Sequence, residues 1–400
     1  MNILPILLGG DLNCYSMALA FYEAGCPRSF ALGRYRLGVT SFSRIVEQRL
    51  DPEMKNDAGR HRLINRLVSE YPDKTPILMG CTDEYASFLI REEAAFDGRF
   101  VIPSPPPSML KYANKSVFMD TCKRYGIAVP RTVVLHVGEI VPNDLPFAYP
   151  IVLKPALSEE YWHHPFLGMR KVWFPQSRHE ALTICDKIRR AGYCGALLLQ
   201  KRLEIADSDN YVLTTYSDRL GRVCAAAYGR VLLEEHTARG LGNHAAILTQ
   251  KMPEMCYKIL SFLDDIGYRG FANFDLVKDP ESGRYFVFEM NLRQGRSNHY
   301  MTAAGLNPAA LVIADRVRGQ KMGFAEASAD IFWHSVPREV IYSQLKDAAL
   351  RRHLHDLTNM GRALSPFHMG VDLSKNPLRR LFVMEHERRI RKRCRMVAAE

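Results

Sequence analysis

Runs of hydrophobic residues alternate with helical patterns over the first hundred positions of the chain. Residues 3–8 are apolar and lead into two glycines, after which apolar positions recur at helical spacing over residues 13–24. Residues 76–80 repeat this layout, and a second helical pattern opens at Thr82. A strand, a tight turn and a helix that recur in this order are typical of a parallel sheet with crossover helices. The pattern therefore predicts an α/β domain at the start of the chain.

A proline-rich segment separates this region from the rest of the chain. Residues 103–107 contain four prolines, which interrupt both helices and strands. We expect a helix from residue 108 to about residue 125, and then apolar strands over residues 149–155 and 196–200. Residues 211–233 predict two antiparallel strands around a turn. The sequence therefore indicates a second region, in which strands outnumber helices.

The most informative segment is a predicted hairpin formed by residues 270–277 and 285–293. Side chains alternate between the two faces of a strand, so every second residue of the later strand shares a face. One face carries Glu289, Asn291 and Arg293, and the other carries Phe286, Phe288 and Met290. If the hairpin is symmetric about Ser282, Asp275 lies directly opposite Glu289.

Two facing carboxylates repel each other, and a divalent cation between them is the simplest compensation. Oxygen ligands from Asp275, Glu289 and Asn291 suit magnesium. Arg293 then stands beside the metal, where it meets phosphate oxygens. The alternative is a solvated hairpin face with ordinary charges. Strands disfavour aspartate and asparagine, and both occur on this face, which favours the metal site.

A nucleotide bound to magnesium needs further cations on its phosphates. Lys115 follows the proline-rich segment, and Lys154 ends a predicted strand just before a proline. Residues 200–202 continue an apolar strand into a polar segment, whose backbone is suited to the edge of an adenine. Asp207 follows, where it would accept a ribose hydroxyl. A single lysine is more often merely solvated, so these assignments depend on the hairpin.

Composition and charge limit the classes of function. The chain has 400 residues and a formal net charge of +11, from 54 Lys and Arg against 43 Asp and Glu. Residues 371–400 hold nine basic and four acidic residues, so they carry +5 of that charge. A basic balance suggests a nucleic acid or an anionic surface as partner. Only +6 remains for the body of the chain, which weakens that interpretation there.

The sequence also bears on the compartment. It contains no apolar run of about 18 residues, so we expect no transmembrane helix. The N-terminus lacks the basic start of a signal peptide. Nine cysteines are scattered without a Cys-x-x-Cys pair, which argues against a disulfide framework or a structural zinc site. We therefore expect a cytoplasmic protein with reduced thiols.

The order of these features resembles the ATP-grasp superfamily: an α/β domain, a linker, two lysines, a polar hinge, and the acids and arginine of the hairpin. The resemblance covers roughly residues 1–320. It implies an α/β fold with a Rossmann-like pre-ATP-grasp domain in residues 1–107. An ATP-grasp domain, whose two α+β subdomains grip ATP, is expected in residues 108–320. Residues 321–400 are then a helical C-terminal extension with a basic tail.

In that superfamily, the lysines bind ATP phosphates, the acids and the asparagine hold two magnesium ions, and the arginine steadies the transferring phosphoryl group. The resemblance thus implies ATP and Mg²⁺ as cofactors, with Mn²⁺ as a substitute. The residues expected to bind ATP are Lys115, Lys154, Gln200, Lys201, Arg202, Asp207 and Arg293. The expected metal ligands are Asp275, Glu289 and Asn291. Lys154 and Arg293 are also expected to be catalytic.

Within the superfamily, residues 289–298 are similar to those of carboxylate–amine ligases, and in particular of D-aspartate ligases. These enzymes attach D-aspartate to the lysine side chain of a peptidoglycan precursor through an acyl phosphate. The resemblance implies a small amino acid and an amine acceptor as partners, the acceptor being a UDP-linked muropeptide. The residues expected to grip the amino acid are Arg230, Arg296, Ser297 and Asn298. Residues 239–244 are a further candidate loop.

One departure from the superfamily concerns residues 155–172. Many relatives carry a glycine-rich lid there, whereas this segment holds a single glycine, Gly168. Closure of a lid over the γ-phosphate is therefore an open question for this chain. Arg170 and Lys171 are candidates to replace such a lid.

Two other functions stay open. The first is another ATP-grasp enzyme, either a dipeptide ligase or a carbamoyl-phosphate-type synthetase, which fits the same residues. The second is a basic, non-catalytic protein that binds nucleic acid or acidic polymers. It predicts aromatic residues interleaved with basic ones, whereas residues 371–400 hold one aromatic residue, Phe382. We therefore expect no nucleic-acid partner.

The tail itself predicts an amphipathic basic helix. Its expected apolar side carries Leu378, Leu381 and Phe382, and its expected polar side carries Arg379, Arg380, Arg388 and Arg389. Such a helix packs on the body of the protein or makes a weak contact with the surface of a membrane. We favour packing on the body.

Overall fold

The computed structural model describes residues 2–236, 240 and 242–397, with side chains as far as residue 394. The first part alternates strands and helices. Its elements are β1 (Ile3–Leu8), α1 (Leu12–Glu23), β2 (Ser29–Gly33), β3 (Val46–Leu50), α2 (Asp57–Ser69), β4 (Thr75–Gly80) and α3 (Asp83–Arg91). The strands pair in parallel in the order β3-β2-β1-β4, which confirms the predicted parallel sheet. Leu8 pairs with Gly80, so α1 and α3 begin at the same edge of the sheet.

A short three-stranded sheet follows the proline-rich segment. Its region contains α4 (Lys115–Arg124), β5 (Thr132–Leu135), β6 (Ile151–Pro155), α5 (Ser158–Trp162), α6 (Arg178–Arg190) and β7 (Leu197–Lys201). The strands pair antiparallel in the order β5-β7-β6. The single helix expected over residues 108–125 is instead divided. Pro107–Ala113 form a 3₁₀ helix, and α4 starts anew because the Asn114 side chain accepts a hydrogen bond from the Ser116 amide.

The largest sheet contains the hairpin. Its region consists of β8 (Asn210–Ser217), β9 (Val223–Glu234), β10 (His244–Gln250), α7 (Glu254–Asp265), β11 (Gly270–Lys278), β12 (Tyr285–Asn291), α8 (His299–Ala303) and α9 (Pro308–Val312). The antiparallel order is β12-β11-β8-β9-β10, which confirms the antiparallel strands expected over residues 211–233. One face buries Val212 and Ile247 in a core shared with α1. The other buries Leu213 and Phe274 in a core shared with α7.

The C-terminal region adds strands as well as helices. It contains β13 (Ala325–Glu326), β14 (Phe332–His334), α10 (Arg338–Gln344), α11 (Ala348–Asn359), β15 (Ala363–Leu364), α12 (Gly370–Leu373) and α13 (Pro377–Val397). Strand β14 pairs antiparallel with β10, and β13 pairs in parallel with β9. The segment that we expected to be a helical extension thus also extends the largest sheet.

Helix α13 packs on the N-terminal domain through a side that the sequence did not suggest. Arg379 is fully buried, lies 4.4 Å above the Tyr15 ring and pairs with Asp372 at 3.3 Å. Leu378 and Leu381, in contrast, are exposed. The expected division into an apolar packed side and a basic solvent side is wrong for these residues. A buried counter-charge accounts for the reversal, and helical periodicity alone does not reveal it.

The structure bears on two further expectations. Across the described residues there is no helix long and apolar enough to span a bilayer. All nine cysteines are free thiols, and seven of them are buried.

Candidate active site

The β11–β12 hairpin brings the predicted metal ligands together. Asp275 pairs with Glu289 and Asn273 pairs with Asn291, so the predicted opposition of the two carboxylates is confirmed. Burial, and then the facing Glu289 carboxylate, raise the pKa of Asp275 well above its usual value. Thr214 donates a hydrogen bond to Asn273 Oδ1 at 2.8 Å, which fixes the side chain beside the pair. Two acids held this close are destabilised unless positive charge lies near them.

The hairpin departs from a regular alternation at Phe288. Asp275 pairs with Glu289, but the next residue, Leu276, pairs with Val287, so Phe288 is the extra residue of a β-bulge. Val287 is fully buried in the core, whereas the Phe288 ring lies 5.3 Å from the Lys154 amine. The expectation that Phe288 shares the face of Met290 is therefore wrong, because the bulge turns its side chain toward the lysine.

Three lysines converge on the carboxylate pair. Lys115 Nζ lies 3.0 Å from Glu289 Oε2 and donates to Ser158 Oγ at 2.9 Å. Burial by itself would raise the pKa of Glu289, but Lys115, Lys171 and Lys154 lower it well below its usual value. Lys154 is only 8% exposed, and burial lowers its pKa to about 8. The excess of cations over acids is what a site for polyanionic phosphates requires.

The predicted hinge lines a cavity of about 430 Å³ between the small sheet and the largest sheet. Residues that line this cavity include Lys154, Gln200, Lys201, Arg202, Asp207, Leu276 and Phe288. The Gln200 side chain donates to Thr132 Oγ1 at 2.9 Å. Asp207 Oδ2 lies 2.7 Å from His236 Nε2 and accepts from the Glu234 amide at 2.8 Å. Although burial opposes it, the His236 contact lowers the pKa of Asp207, so this carboxylate stays ionised.

A second cavity, of about 740 Å³, adjoins the first and is lined by the predicted metal ligands. Residues shared by both cavities are Lys115, Ser158, Lys171, Gly242, His244, Asp275 and Glu289. Arg293 and Arg296 line the larger cavity, together with Asp11 and Asp83 from the edge of the N-terminal sheet. Two of the predicted metal ligands, Asp275 and Glu289, therefore lie at the junction of two compartments, and this arrangement suits a group passing from one substrate to another.

The hairpin arginine is held by the N-terminal domain. Arg293 Nε donates to Asp83 Oδ1 at 2.7 Å, and Arg293 Nη1 donates to the Gln294 carbonyl oxygen at 2.9 Å. Although burial opposes it, Asp83 raises the pKa of Arg293, which keeps the guanidinium charged. This contact links the edge of the N-terminal sheet to the hairpin, since Asp83 is the first residue of α3 and Arg293 lies just after β12.

The four residues expected to grip an amino acid are not all together. Arg296 pairs with Glu235 at 2.8 Å, and both Arg296 and Ser297 line the larger cavity. Asn298 Nδ2 donates instead to Asn13 Oδ1 at 2.8 Å. Arg230 Nε donates to the Ser208 carbonyl oxygen at 2.6 Å, and Arg230 is not among the described residues that line either cavity.

The other candidate loop, residues 239–244, is described only in part. Arg239 and Leu241 lie outside the described residues. Asn243 and His244 line the larger cavity. Burial, and then Lys171, lower the pKa of His244 to about 4, so this imidazole is neutral near pH 7.

The sequence did not predict several residues that contribute to the site. Asp83 lies in the first turn of α3, where acids are common, so its local sequence gives no sign of the contact with Arg293. Lys171 was considered only as a replacement for a lid, although it lines both cavities. Burial, and then Asp207, raise the pKa of Glu234 to about 7. No spacing in the sequence connects these residues to the hairpin, because all of these contacts are tertiary.

The donor set at the hairpin fits a hard divalent cation. Two largely buried carboxylates that face each other, with an amide side chain beside them, supply the oxygen ligands that magnesium prefers. In the part of the chain that the structure describes, three or more His, Cys, Asp and Glu side chains do not cluster as a metal site. The chemistry of the donors thus favours magnesium, which keeps several waters, over zinc.

The chain resembles solved structures of ligases and synthetases over most of its length. The L-amino acid ligase from Bacillus licheniformis aligns over 78% of this chain and 73% of its own, with a TM-score of 0.54 and 16% identity. The ADP complex of N5-carboxyaminoimidazole ribonucleotide synthetase aligns over 89% of this chain and 87% of its own, with a TM-score of 0.59 and 14% identity. These likenesses show that the fold is the ATP-grasp fold.

The sequence matches no protein-family model. It is 33% identical over 359 residues to the D-aspartate ligase of Enterococcus faecium (strain Aus0004), which covers 86% of this chain and 85% of that protein. The chain therefore belongs to the D-aspartate ligase family of ATP-grasp carboxylate–amine ligases. As a member, it is an ATP-dependent enzyme that forms a carbon–nitrogen bond.

Proposed function

We propose that this enzyme joins D-aspartate, or a similar amino acid, to an amine of a peptidoglycan precursor in the cytoplasm. The observation that carries the proposal is the 33% identity to the Enterococcus faecium D-aspartate ligase across most of both chains. The cavities support it, because one compartment suits ATP and the adjoining one has room for the amino acid and for the reacting amine group of the acceptor.

ATP occupies the cavity between the small sheet and the largest sheet. The adenine lies against Leu276 and Phe288, and the backbone of residues 200–202 meets its polar edge. Asp207, whose carboxylate stays ionised, accepts a ribose hydroxyl. Lys115 and Lys154 bind the phosphates, because they approach the carboxylate pair from the ATP side.

Asp275, Glu289 and Asn291 would hold magnesium, as two ions, with Mn²⁺ as a substitute. Bound there, the metal would supply positive charge to balance that of the phosphates. The chain contributes the facing carboxylates and the surrounding lysines. These lysines keep Glu289 ionised, and its ionised oxygens are what a cation requires.

The reaction has two steps. A carboxylate oxygen of the amino acid forms a bond to the γ-phosphorus of ATP, and the bond from that phosphorus to the ADP oxygen breaks. The amine nitrogen then forms a bond to the acyl carbon, phosphate leaves, and the amine loses a proton. Arg293 and Lys154 stabilise the charge on the transferring group, since both are fixed in place before the reaction.

Residues that line the larger cavity bind the amino-acid substrate. Arg296 provides a cation for the second carboxylate of the substrate, and Ser297 adds a hydroxyl. Asn298 supports this region through Asn13. For Arg230, the contact with Ser208 favours a role in holding the segment beside Asp207.

Mass spectrometry of the products tests the proposal. The purified protein is incubated with ATP, magnesium, D-aspartate and a lysine-containing muropeptide precursor. We expect an adduct whose mass equals that of the two substrates less one water, together with ADP and phosphate. Parallel reactions with L-aspartate, with pairs of free amino acids and with bicarbonate plus ammonia cover the dipeptide and carbamoyl-phosphate alternatives. A product only in one of these parallel reactions overturns the substrate assignment and leaves the ligase class intact.

A further inference from the structure

Helix α13 carries a stripe of exposed side chains that the ligase site does not use. Leu378, Leu381 and Met384 are 57%, 63% and 67% exposed. Residues three or four apart lie on one face of a helix, and Arg388 and Lys392, which are also exposed, continue the same face. The stripe is thus apolar in the first half of the helix and basic in the second half.

The opposite side of α13 is anchored to the body of the protein in the first half of the helix. Arg379 pairs with Asp372 and donates to the Val39 and Ser41 carbonyl oxygens at 2.7 and 2.9 Å. Val383 is buried in the same core. These contacts fix the rotation of the helix about its axis. The outward direction of Leu381 and Met384 therefore follows from packing and is not a consequence of a loosely held terminus.

The residues around the stripe are mostly basic. Arg380, Arg388, Arg389 and Lys392 are exposed, and Glu385 is the acid that lies among them. Glu385 accepts from both Arg388 and Arg389, so its charge is balanced within the helix. A surface with protruding aliphatic side chains and a positive rim is complementary to an anionic bilayer. The aliphatic groups enter the acyl boundary, and the arginines meet the head-group phosphates.

We propose that the exposed stripe of α13 binds the surface of a membrane containing anionic phospholipid, with the helix lying in the plane of the interface. The helix of 21 residues is about 30 Å long, which is the length of many interfacial helices. The proposal is independent of the substrates of the ligase. A nucleic acid is the less suitable partner, because exposed Leu and Met side chains gain nothing from a phosphate backbone and Phe382 packs against Gly38.

Co-sedimentation of the full-length protein with vesicles tests this surface. One set of vesicles contains phosphatidylglycerol and phosphatidylcholine in equal parts, and the other contains phosphatidylcholine alone. We expect binding to the anionic vesicles that weakens as salt is raised, and much less binding to the neutral ones. Absence of binding to the anionic vesicles, or equal binding to both sets, overturns the proposal.

Two double variants locate the contact. Leu381→Ser with Met384→Ser removes apolar contact, and Arg388→Gln with Lys392→Gln removes charge. Each is expected to lower vesicle partitioning by about 10-fold. The matched controls are Leu220→Ser with Ile140→Ser, and Lys123→Gln with Arg190→Gln. These residues are also exposed but lie outside α13.

Two further measurements accompany the vesicle assay: the rate of ADP release reports whether each variant folds, and duplex DNA serves as a second polyanion. All variants should keep the wild-type rate of ADP release, which shows that they fold. Unchanged binding in both α13 variants overturns the assignment to this stripe, as does an equal loss in the controls. Binding to duplex DNA that matches vesicle binding at equal phosphate and salt also overturns it, because the surface then responds to charge alone.

Discussion

The β11–β12 hairpin and helix α13 both concentrate charge, but the two regions use it differently. On the hairpin, Glu289 and Lys115 are largely buried and 3.0 Å apart, and further cations surround them. On α13, Arg388 and Arg389 share Glu385 in open solvent. Charges in a water-poor cavity interact strongly, whereas exposed pairs contribute little. The basic tail carries +5 of the net charge of +11, but the lysines that define the site come from three separate segments.

Helix α13 itself contains one charge of the buried kind, and its removal is expected to have the largest effect. Arg379→Ala leaves Asp372 buried without its partner, so we expect the free energy of unfolding to fall by about 3–5 kcal/mol. Chemical denaturation measures this loss. The neighbouring Arg380 is exposed, and Arg380→Ala should change the free energy of unfolding by about 0.5 kcal/mol or less. Equal losses of unfolding free energy in the two variants would contradict the distinction between a packed and an exposed side of α13.

On the hairpin, the loss of Arg293 should reduce turnover more than stability. Arg293→Ala removes a fixed cation from the transferring phosphoryl group, so kcat should fall by about 10²-fold or more. Steady-state release of ADP measures this change. Arg293→Lys keeps the charge but loses the geometry with Asp83, and should lie between wild type and the alanine variant. An alanine variant that folds and has wild-type turnover would contradict the role assigned to Arg293.

At the far end of the ATP cavity, the expected effect is smaller and concerns binding. Asp207→Asn removes an ionised acceptor for the ribose, so KM for ATP should rise by about 10-fold while kcat changes little. Glu204→Gln, two residues beyond the hinge, is the control, since Glu204 is 81% exposed and its loss should leave KM unchanged. An unchanged KM for ATP in Asp207→Asn would show that Asp207 does not bind the ribose.

The smallest effect is a pH dependence that the exposed lysines should not show. Burial lowers the pKa of Lys154 to about 8, so the amine is charged below that pH and loses its proton above it. We expect kcat/KM for ATP to decline as pH rises through about 8, with a slope approaching tenfold per pH unit. Lys154→Arg keeps its charge, and its profile should stay flat there. A decline that persists in Lys154→Arg would assign the titration to another group.

The sequence alone predicted the features that depend on local periodicity. Alternation along two short strands with a turn between them placed Asp275 opposite Glu289, and the structure has that pairing. The bulge at Phe288 was not predicted, because an alternating pattern assumes an unbroken register. Burial of Arg379 was missed for a similar reason, since helical spacing says nothing about a buried acid elsewhere in the chain.

Convergence of distant segments is the part that sequence could not provide. Lys171 and Asp83 come from a loop and from the start of a helix, and each has an ordinary local explanation. Their place in the site follows from how the N-terminal sheet edge meets the hairpin. Lys115 and Lys154, the lysines proposed to bind ATP, have no distinctive local pattern, so they were singled out through the hairpin and through the order of features shared with a known superfamily.

The most direct test is a magnesium titration of ADP release by Asp275→Asn, compared with wild type and with Asp186→Asn. Asp186 is a surface carboxylate that pairs with Arg190. If the hairpin carboxylates hold the metal that serves ATP, Asp275→Asn should need far more magnesium and turn over at least about 10²-fold more slowly, while Asp186→Asn matches wild type. Full magnesium-dependent activity in a folded Asp275→Asn enzyme would contradict the assignment of the active site to the β11–β12 hairpin.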